Sequence, residues 1–443
     1  MLRVNSKEVN PGDTFLILEN NEASKYAEEA IDRGAACIIS TDGEYSVKTI
    51  ITPDTRTYLS NYLKELYFEK LDKIKIIGIV GTSGKTITGD ITYQLLNNLG
   101  SKAAYIGTNG FYLNGEVTKT TATTPDIYEI YEYINKAIDN GCENIIIEIS
   151  TSAIINRYIE GLRFDIIIFT NFIDNNDLLE KQKYLNAKIE PFKMLKKSGT
   201  AIINKKDPYY QYFALPQNHN IFYGSLDSDY KVTSIGLTYD FTEFNINDKR
   251  VELPLLGSYN IYNYLAAFVT ASILNYPDDA IINATQNLKQ VDGRYQGIKS
   301  KDNLIIIDYA YDKDMIENVI NCTKEFSRAK LITVIGLGGN KRQDQRSKIG
   351  KIVTKKSDYV IFTTDNPRYE NPEDIINDML KEVQTDNYEI VLSRKEAIKK
   401  GIEMLEESDI LLVLGKGNEE FQIIENDKIP FKDYNEVIKY IKK

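Results

Sequence analysis

Short apolar runs that alternate with stretches of helical period predict an α/β fold. The runs have the composition of strands buried on both faces, as a mostly parallel sheet requires. A glycine-rich turn joining one such strand directly to a helix is a further mark of that class.

TFLILEN (14–20) is followed by ASKYAEEAIDRGAACIIS, a helix and then a strand. KIKIIGIV (73–80) is the next strong strand, and it runs straight into GTSGKT. Beyond it Ile87, Ile91, Leu95 and Leu99 recur every four residues, one face of a helix that Gly100 can end. AAYIG, NIIIEIS, FDIIIFTN and TAIIN read as further parallel strands, with helical stretches such as IYEIYEYINKAIDNG between them. A polar, turn-rich region near 216–250 interrupts the pattern. From 303 a fresh alternation begins with NLIIIDYA, KLITVIGLGG, DYVIFTTDNP, YEIVLSR and DILLVLGKG, a second doubly wound unit. Boundaries near 73 and 296 give three domains: a small N-terminal α/β domain (1–73), a central domain with a mostly parallel sheet (74–295) and a Rossmann-like C-terminal domain (296–443).

A chain of 443 residues with 42% apolar and 27% charged residues has the composition of a globular protein with several cores. Its net charge of −10 argues against a general binder of nucleic acid or anionic membranes. No basic start leads into an apolar run, and no apolar run is long enough for a membrane span, so a cytoplasmic protein is expected. Cys37, Cys142 and Cys322 lack ligand-like spacing and read as buried small hydrophobes. With His219 the single histidine, most histidine chemistry is excluded.

Strand, then Gly81-Thr82-Ser83-Gly84-Lys85-Thr86, then helix is the arrangement of a triphosphate cradle. The glycines let backbone N–H groups crowd round oxygens, Lys85 can reach β/γ-phosphates, and the Thr86 hydroxyl can hold Mg²⁺. Ile79 stands where the strict motif has its first glycine, so a ligand-free glycine turn is the alternative. The neighbouring strands end in Glu148 and Ser150, in Thr170 and Asn171, and in Asn204, at the edge where open α/β sheets bind ligands. Glu148 suits Mg²⁺, which prefers hard oxygens; a helix-capping or ion-paired acid is the other reading.

Taken together these segments resemble the Mur ligase family of ATP-dependent amide-forming enzymes, over almost the whole chain and most closely its tripeptide-synthetase branch. VGTSGKT is similar to the family's GTNGKT loop, TATTPD (121–126) to its TTPD segment, and EIS and FTN follow in order. YLNAK places Lys188 where the family has a carbamylated lysine, and GSYNIYNYLAA would put Asn260 and Asn263 near the nucleotide. VDGR gives Arg294 as a phosphate-facing candidate, and DYAYDKD, opening on Asp308, adds a further nucleotide candidate. GLGGNKRQDQR, TDNPR and GKGNEEFQ follow in the family's order.

The resemblance implies a catalytic set of Lys85, Glu148 and Lys188, and a metal set of Thr86, Glu148, Asn176 and Lys188 once carbamylated. It implies substrate contacts from Ser6, Thr123, Thr124, Ser150 and Arg157. The incoming amino acid would meet Lys341, Asp365, Asn366, Arg368, Gly415 and Glu419. Arginine at the end of DNPR is associated with meso-diaminopimelate, because a planar guanidinium grips a carboxylate bidentately. Standing alone, DNPR would equally be a strand-to-helix turn.

The departures cluster where the family usually carries histidine. EISTSAI replaces a serine- and histidine-bearing stretch, Asn175-Asn176 an Asp-His pair, Tyr311 the histidine of DYAH, and Asn418 that of GKGHE. Lys341 stands in place of a substrate-gripping arginine, and RVNSKEVNPGD starts so early in the chain that a shortened uridine-binding domain is expected. An Asn176 amide oxygen remains acceptable to Mg²⁺, whereas losing the charge at Asn175 should weaken the site.

The expected activity is ATP-dependent addition of an amino acid, meso-diaminopimelate first, to UDP-MurNAc-L-Ala-D-Glu, by a monomer that uses ATP and Mg²⁺. The alternatives are a paralogue joining an amine to another carboxylate, or a non-catalytic relative that binds nucleotide or muropeptide. A dinucleotide-binding dehydrogenase is the weakest reading, since GLGGNK has Lys341 where the last glycine is required.

Overall fold

The computed structural model describes residues 1–18, 23–173, 178–340 and 343–441, with side chains at all of these except 23–24 and 178–179. Two compact units are present: 1–229 with 266–276, and 230–265 with 277–443.

The first unit opens with a parallel sheet of β1 (Leu2–Arg3), β2 (Thr14–Leu16), β3 (Cys37–Ser40) and β4 (Lys48–Ile51), in that order. Its main sheet uses β5 (Lys75–Val80), β6 (Ala103–Gly107), β7 (Gly110–Leu113), β8 (Glu116–Thr118), β9 (Asn144–Ile149), β10 (Phe164–Phe169), β11 (Leu195–Asn204) and β12 (His219–Tyr223). The order is β12-β11-β10-β5-β9-β6-β7-β8. Six of these strands run parallel, and β7 and β8 form an antiparallel edge that the sequence pattern does not announce. The apolar strand runs are buried throughout, as in Ile145, Ile146 and Ile147 of β9. The helix Ile127–Asp139 turns Ile127, Ile130, Tyr131, Ile134 and Ala137 into the same core, each large side chain contributing about 1.5–3 kcal/mol. Leu2, Leu16 and Ile39 of the first sheet belong to this core too, which is why the first 73 residues and the main sheet form one compact body.

The second unit carries an antiparallel sheet of β13 (Val232–Leu237), β14 (Thr242–Ile246) and β15 (Lys249–Leu253). The polar region near 216–250 is therefore strand rather than irregular chain. Its inward positions, Phe244, Ile246, Val251 and Leu253, alternate with polar residues, the pattern of a sheet with one wet face. Strands β16 (Gln296–Ser300), β17 (Asn303–Asp308), β18 (Leu331–Ile335), β19 (Tyr359–Phe362), β20 (Tyr388–Ile390) and β21 (Ile410–Leu414) make the larger sheet, in the order β16-β17-β21-β18-β19-β20. Only β16 is antiparallel in it. A hairpin of β22 (Phe421–Ile424) and β23 (Asp427–Pro430) follows. Cys37, Cys142 and Cys322 are free and buried, as expected.

Candidate active site

In the first unit the strand order places the site. GTSGKT leaves the end of β5, with β10 on one side and β9 on the other. Gly84 adopts φ +79° immediately before the helix Lys85–Asn98, a conformation that a side chain would strain. Gly81 lies so close to β10 that an added Cβ would overlap the Thr170 hydroxyl. Asn171 clamps the loop: its Oδ1 accepts from the Ser83 amide at 2.9 Å, and its Nδ2 donates to the Ser83 carbonyl at 3.1 Å. Its carbonyl accepts from the Thr82 amide at 3.0 Å. Lys85 Nζ folds back onto the carbonyls of Gly81 and Thr82, at 2.8 and 3.2 Å.

Glu148, fully buried on β9, is held in four ways. The Thr86 hydroxyl donates to its Oε2 at 3.0 Å and the Thr108 hydroxyl at 3.2 Å. The Thr108 amide donates to Oε1 at 2.9 Å, and so does the Tyr105 hydroxyl. Burial and this carboxylate push the Tyr105 hydroxyl well above its ordinary pKa, so it stays a donor. Thr123 meets Thr108 across 3.2 Å, and the Thr124 hydroxyl donates to the Glu148 carbonyl at 2.7 Å. The Ser150 amide donates to the Thr124 hydroxyl at 2.9 Å. Thr86, Glu148, Thr123, Thr124 and Ser150 are thus brought together, joined by Thr108 and Tyr105. Thr108 could have been found from its place just past AAYIG, whereas Tyr105 lies in the middle of that strand.

Lys188 is buried with Nζ 2.7 Å from the Gly81 carbonyl and 4.5 Å from the centre of the Tyr184 ring. Burial pushes its amine down to about 7. Ser6 and Arg157 are not part of this cluster. The Ser6 hydroxyl donates to Glu29 at 2.6 Å. Arg157, with φ +61°, pairs with Asp54 at 2.7 Å and with Glu160. Asn175, Asn176 and Lys341 lie outside the described residues. Among the described residues no three His, Cys, Asp or Glu side chains gather as a metal cluster. One carboxylate with two hydroxyls is nonetheless a hard-oxygen set of the kind Mg²⁺ accepts beside phosphate and water.

In the second unit the ends of β17, β21, β18 and β19 stand side by side and carry DYAY, GKGNE, GLGG and TDNPR. A cavity of about 120 Å³ there is lined by Tyr309, Tyr311, Leu337, Gly338, Asp365, Asn366, Arg368, Gly415 and Glu419. Five of the expected amino-acid contacts are therefore together. Asn366 Nδ2 donates to Glu419 at 2.6 Å, and Arg368, with φ +54°, donates to the Gly339 carbonyl at 3.0 Å. Burial raises the Asp365 carboxyl, opposed by the nearby Lys416. Lys416 is a residue that sequence reasoning passed over, although it sits between two that were chosen.

Of the nucleotide candidates in this unit, Asn260 donates to the Leu256 carbonyl at 2.7 Å and Asn263 to Asn260 at 3.1 Å. The Arg294 guanidinium covers the Tyr309 ring at 4.5 Å, and its Nε is buried with no hydrogen-bond partner among the described residues. Both Asp308 oxygens accept backbone amides, from Tyr295 and Ala310, each at 2.7 Å. Asp308 thus pins the turns on which Arg294 and Tyr309 ride.

A central parallel sheet with a phosphate-type loop at its switch point defines the chain as a P-loop α/β protein. It matches the Mur ligase middle domain over residues 79–271 and the Mur ligase glutamate ligase domain over 293–417. The UDP-N-acetylmuramoyl-L-alanyl-D-glutamate–2,6-diaminopimelate ligase of Clostridium perfringens is 33% identical, with 99% of this chain and 93% of that protein covered. The Aquifex aeolicus protein of the same name is 32% identical, over 98% of this chain and 91% of its own length. A solved structure of a ligase of that name has a TM-score of 0.75 at 26% identity, covering 100% of this chain and 94% of the other. The Thermotoga maritima MurF ligase solved with ADP has a TM-score of 0.67 at 18% identity, over 99% and 96% of the two chains, a likeness of fold. The chain belongs to the Mur ligase family.

Proposed function

We propose that this protein is an ATP-dependent acid–amino-acid ligase that joins meso-diaminopimelate to UDP-MurNAc-L-Ala-D-Glu in peptidoglycan synthesis. The observation that carries the reading is the full-length likeness to relatives bearing that name, over a site in which Lys85, Thr86 and Glu148 stand together. ATP phosphorylates a substrate carboxylate, releasing ADP. The amine of the incoming amino acid attacks the acyl phosphate, phosphate leaves, and the amine's proton passes to solvent.

Lys85 turns from the loop carbonyls toward the β/γ-phosphates, and the loop amides hold the remaining oxygens. Thr86 and Glu148, with Asn176 and a carbamylated Lys188, are the residues to hold Mg²⁺, which would neutralise phosphate charge. Thr123, Thr124 and Ser150 orient the acceptor beside the loop. In the second unit, Asn260, Asn263, Arg294 and Asp308 serve the nucleotide, directly or by fixing a turn. Asp365, Asn366, Arg368, Gly415 and Glu419, with Lys341, receive the amino acid.

The working species in this reading is a monomer, and dependence on ATP supports a cytoplasmic location. Among the described residues no helix is long and apolar enough to cross a membrane. Phosphate release is the test, followed while UDP-MurNAc-dipeptide and candidate amino acids are varied. Turnover requires both partners under this reading; turnover with a different acid alone, or nucleotide binding without turnover, would overturn it.

A further inference from the structure

Lys416 is a cation sealed inside the protein: its side chain has no exposed surface, so it cannot touch a ligand in the cavity beside it. Its three N–H bonds have three close acceptors, the Phe421 carbonyl at 2.7 Å, Asn366 Oδ1 at 2.9 Å and Glu419 Oε2 at 2.9 Å. Asp365 Oδ1 lies slightly farther, at 3.3 Å. A buried ammonium is costly unless its N–H bonds are met, as they are here.

Two consequences follow for the cavity wall. First, the Asn366 amide can face only one way. Its oxygen meets two donors, Lys416 Nζ and the Ile423 amide at 3.0 Å, while its nitrogen points at Glu419. Second, Glu419 Oε2 takes both Lys416 and Asn366, which leaves Oε1 with no partner among the described residues on a side chain that lines the cavity. A carboxylate oxygen left open on this wall suits an incoming ammonium group, and the Arg368 guanidinium on the same wall suits that substrate's carboxylate.

We infer that Lys416 is a positioning residue that sets Asn366 and Glu419 to receive the ammonium end of the amino-acid substrate. The inference rests on the proposed ligase reading of this cavity. Removing the charge leaves the buried Asp365 and the partly exposed Glu419 without their shared ammonium and frees the Glu419 side chain to turn away.

The test is steady-state kinetics of the full chain with Lys416→Met, Glu419→Gln and the double variant. Lys416→Met should raise the KM for the amino acid about tenfold or more, with the KM for ATP within about twofold of the unaltered protein. In the Glu419→Gln background the same change should add less than about twofold, because Lys416 acts through that carboxylate. Equal weakening toward ATP, an unchanged amino-acid KM or fully additive effects would overturn the inference alone. If Lys416→Met does not fold, Lys416→Gln is read in its place, and failure of both makes Lys416 a fold-holding residue and overturns it too. Absence of amino-acid-dependent turnover in the unaltered protein overturns the ligase reading, and this inference with it.

Discussion

The Thr86 hydroxyl donates to Glu148 Oε2 at 3.0 Å, although the two residues are 62 positions apart. They meet because β5 and β9 are adjacent and in register, with Glu148 opposite Ile79. A hydroxyl and a carboxylate so placed are the protein's share of a metal–phosphate site. Glu148→Gln keeps the shape and loses the charge, so kcat should fall about 100-fold or more while thermal stability changes little. Lys85→Ala should abolish turnover. Phosphate-release assays decide both, and a Glu148→Gln protein with near-normal kcat would remove the carboxylate from the mechanism.

Lys188 offers a pH signature. Burial lowers its amine from 10.5 to about 7, so between those values the folded state binds fewer protons than the unfolded state. Stability should therefore rise with pH across that window, and Lys188→Met should flatten the rise. An amine largely neutral at pH 8 can also attack dissolved CO₂, forming an N–C bond and giving a proton to solvent. ¹³C-bicarbonate should yield a carbamate signal that Lys188→Met lacks; a signal of equal strength in the variant would exclude this lysine.

Asp90 is buried on the helix behind the loop, where desolvation pushes its carboxyl up to about 6. Folding thus favours its protonated form, and above pH 6 the buried charge costs stability. Asp90→Asn should stabilise the protein by about 3 kcal/mol at pH 8 and by little below pH 4. Urea unfolding at the two pH values measures the difference, and a variant no more stable at pH 8 would contradict it.

Gly81 is required by space. A Cβ there would overlap the Thr170 hydroxyl, so Gly81→Ala should destabilise by about 1–3 kcal/mol and weaken nucleotide binding. Thr170→Ala in the same chain should restore much of the loss. Thermal unfolding with and without ATP reads both effects, and no recovery in the double variant would place the cost elsewhere.

Arg368 lines the second-unit cavity while donating to the Gly339 carbonyl. Arg368→Ala should raise the amino-acid KM about tenfold with kcat changed less, because a guanidinium grips a carboxylate in the ground state as well as the transition state. An unchanged KM would remove Arg368 from substrate selection.

Much of this was legible in the chain. The strands from KIKIIGIV to DILLVLGKG form where their apolar runs stand, because a strand buried on both faces must be apolar along its length. The antiparallel sheet over 232–253 was hidden by its polar outward positions, and the β7–β8 edge by its short strands. Motif order points to Thr123, Thr124 and Ser150, which gather in the first unit, and to Asp365, Asn366 and Glu419, which gather in the second. A lysine between glycines reads as exposed, and nothing local to Lys416 announces that Asp365, Asn366, Glu419 and Phe421 will surround its ammonium.

The sequence by itself determined the local units: which runs become strands, where a glycine loop must turn into a helix, and the order in which the chemistry-bearing segments follow one another. Such features depend on the nearest few residues and on burial, both of which a linear pattern records. Only the tertiary structure decided the pairings, setting Glu148 against Thr86, enclosing Lys416, committing both Asp308 oxygens to backbone amides and tying Arg157 to Asp54. Hydrogen bonds and close ion pairs form over about 3–4 Å, and which distant residues come that close depends on strand order and register.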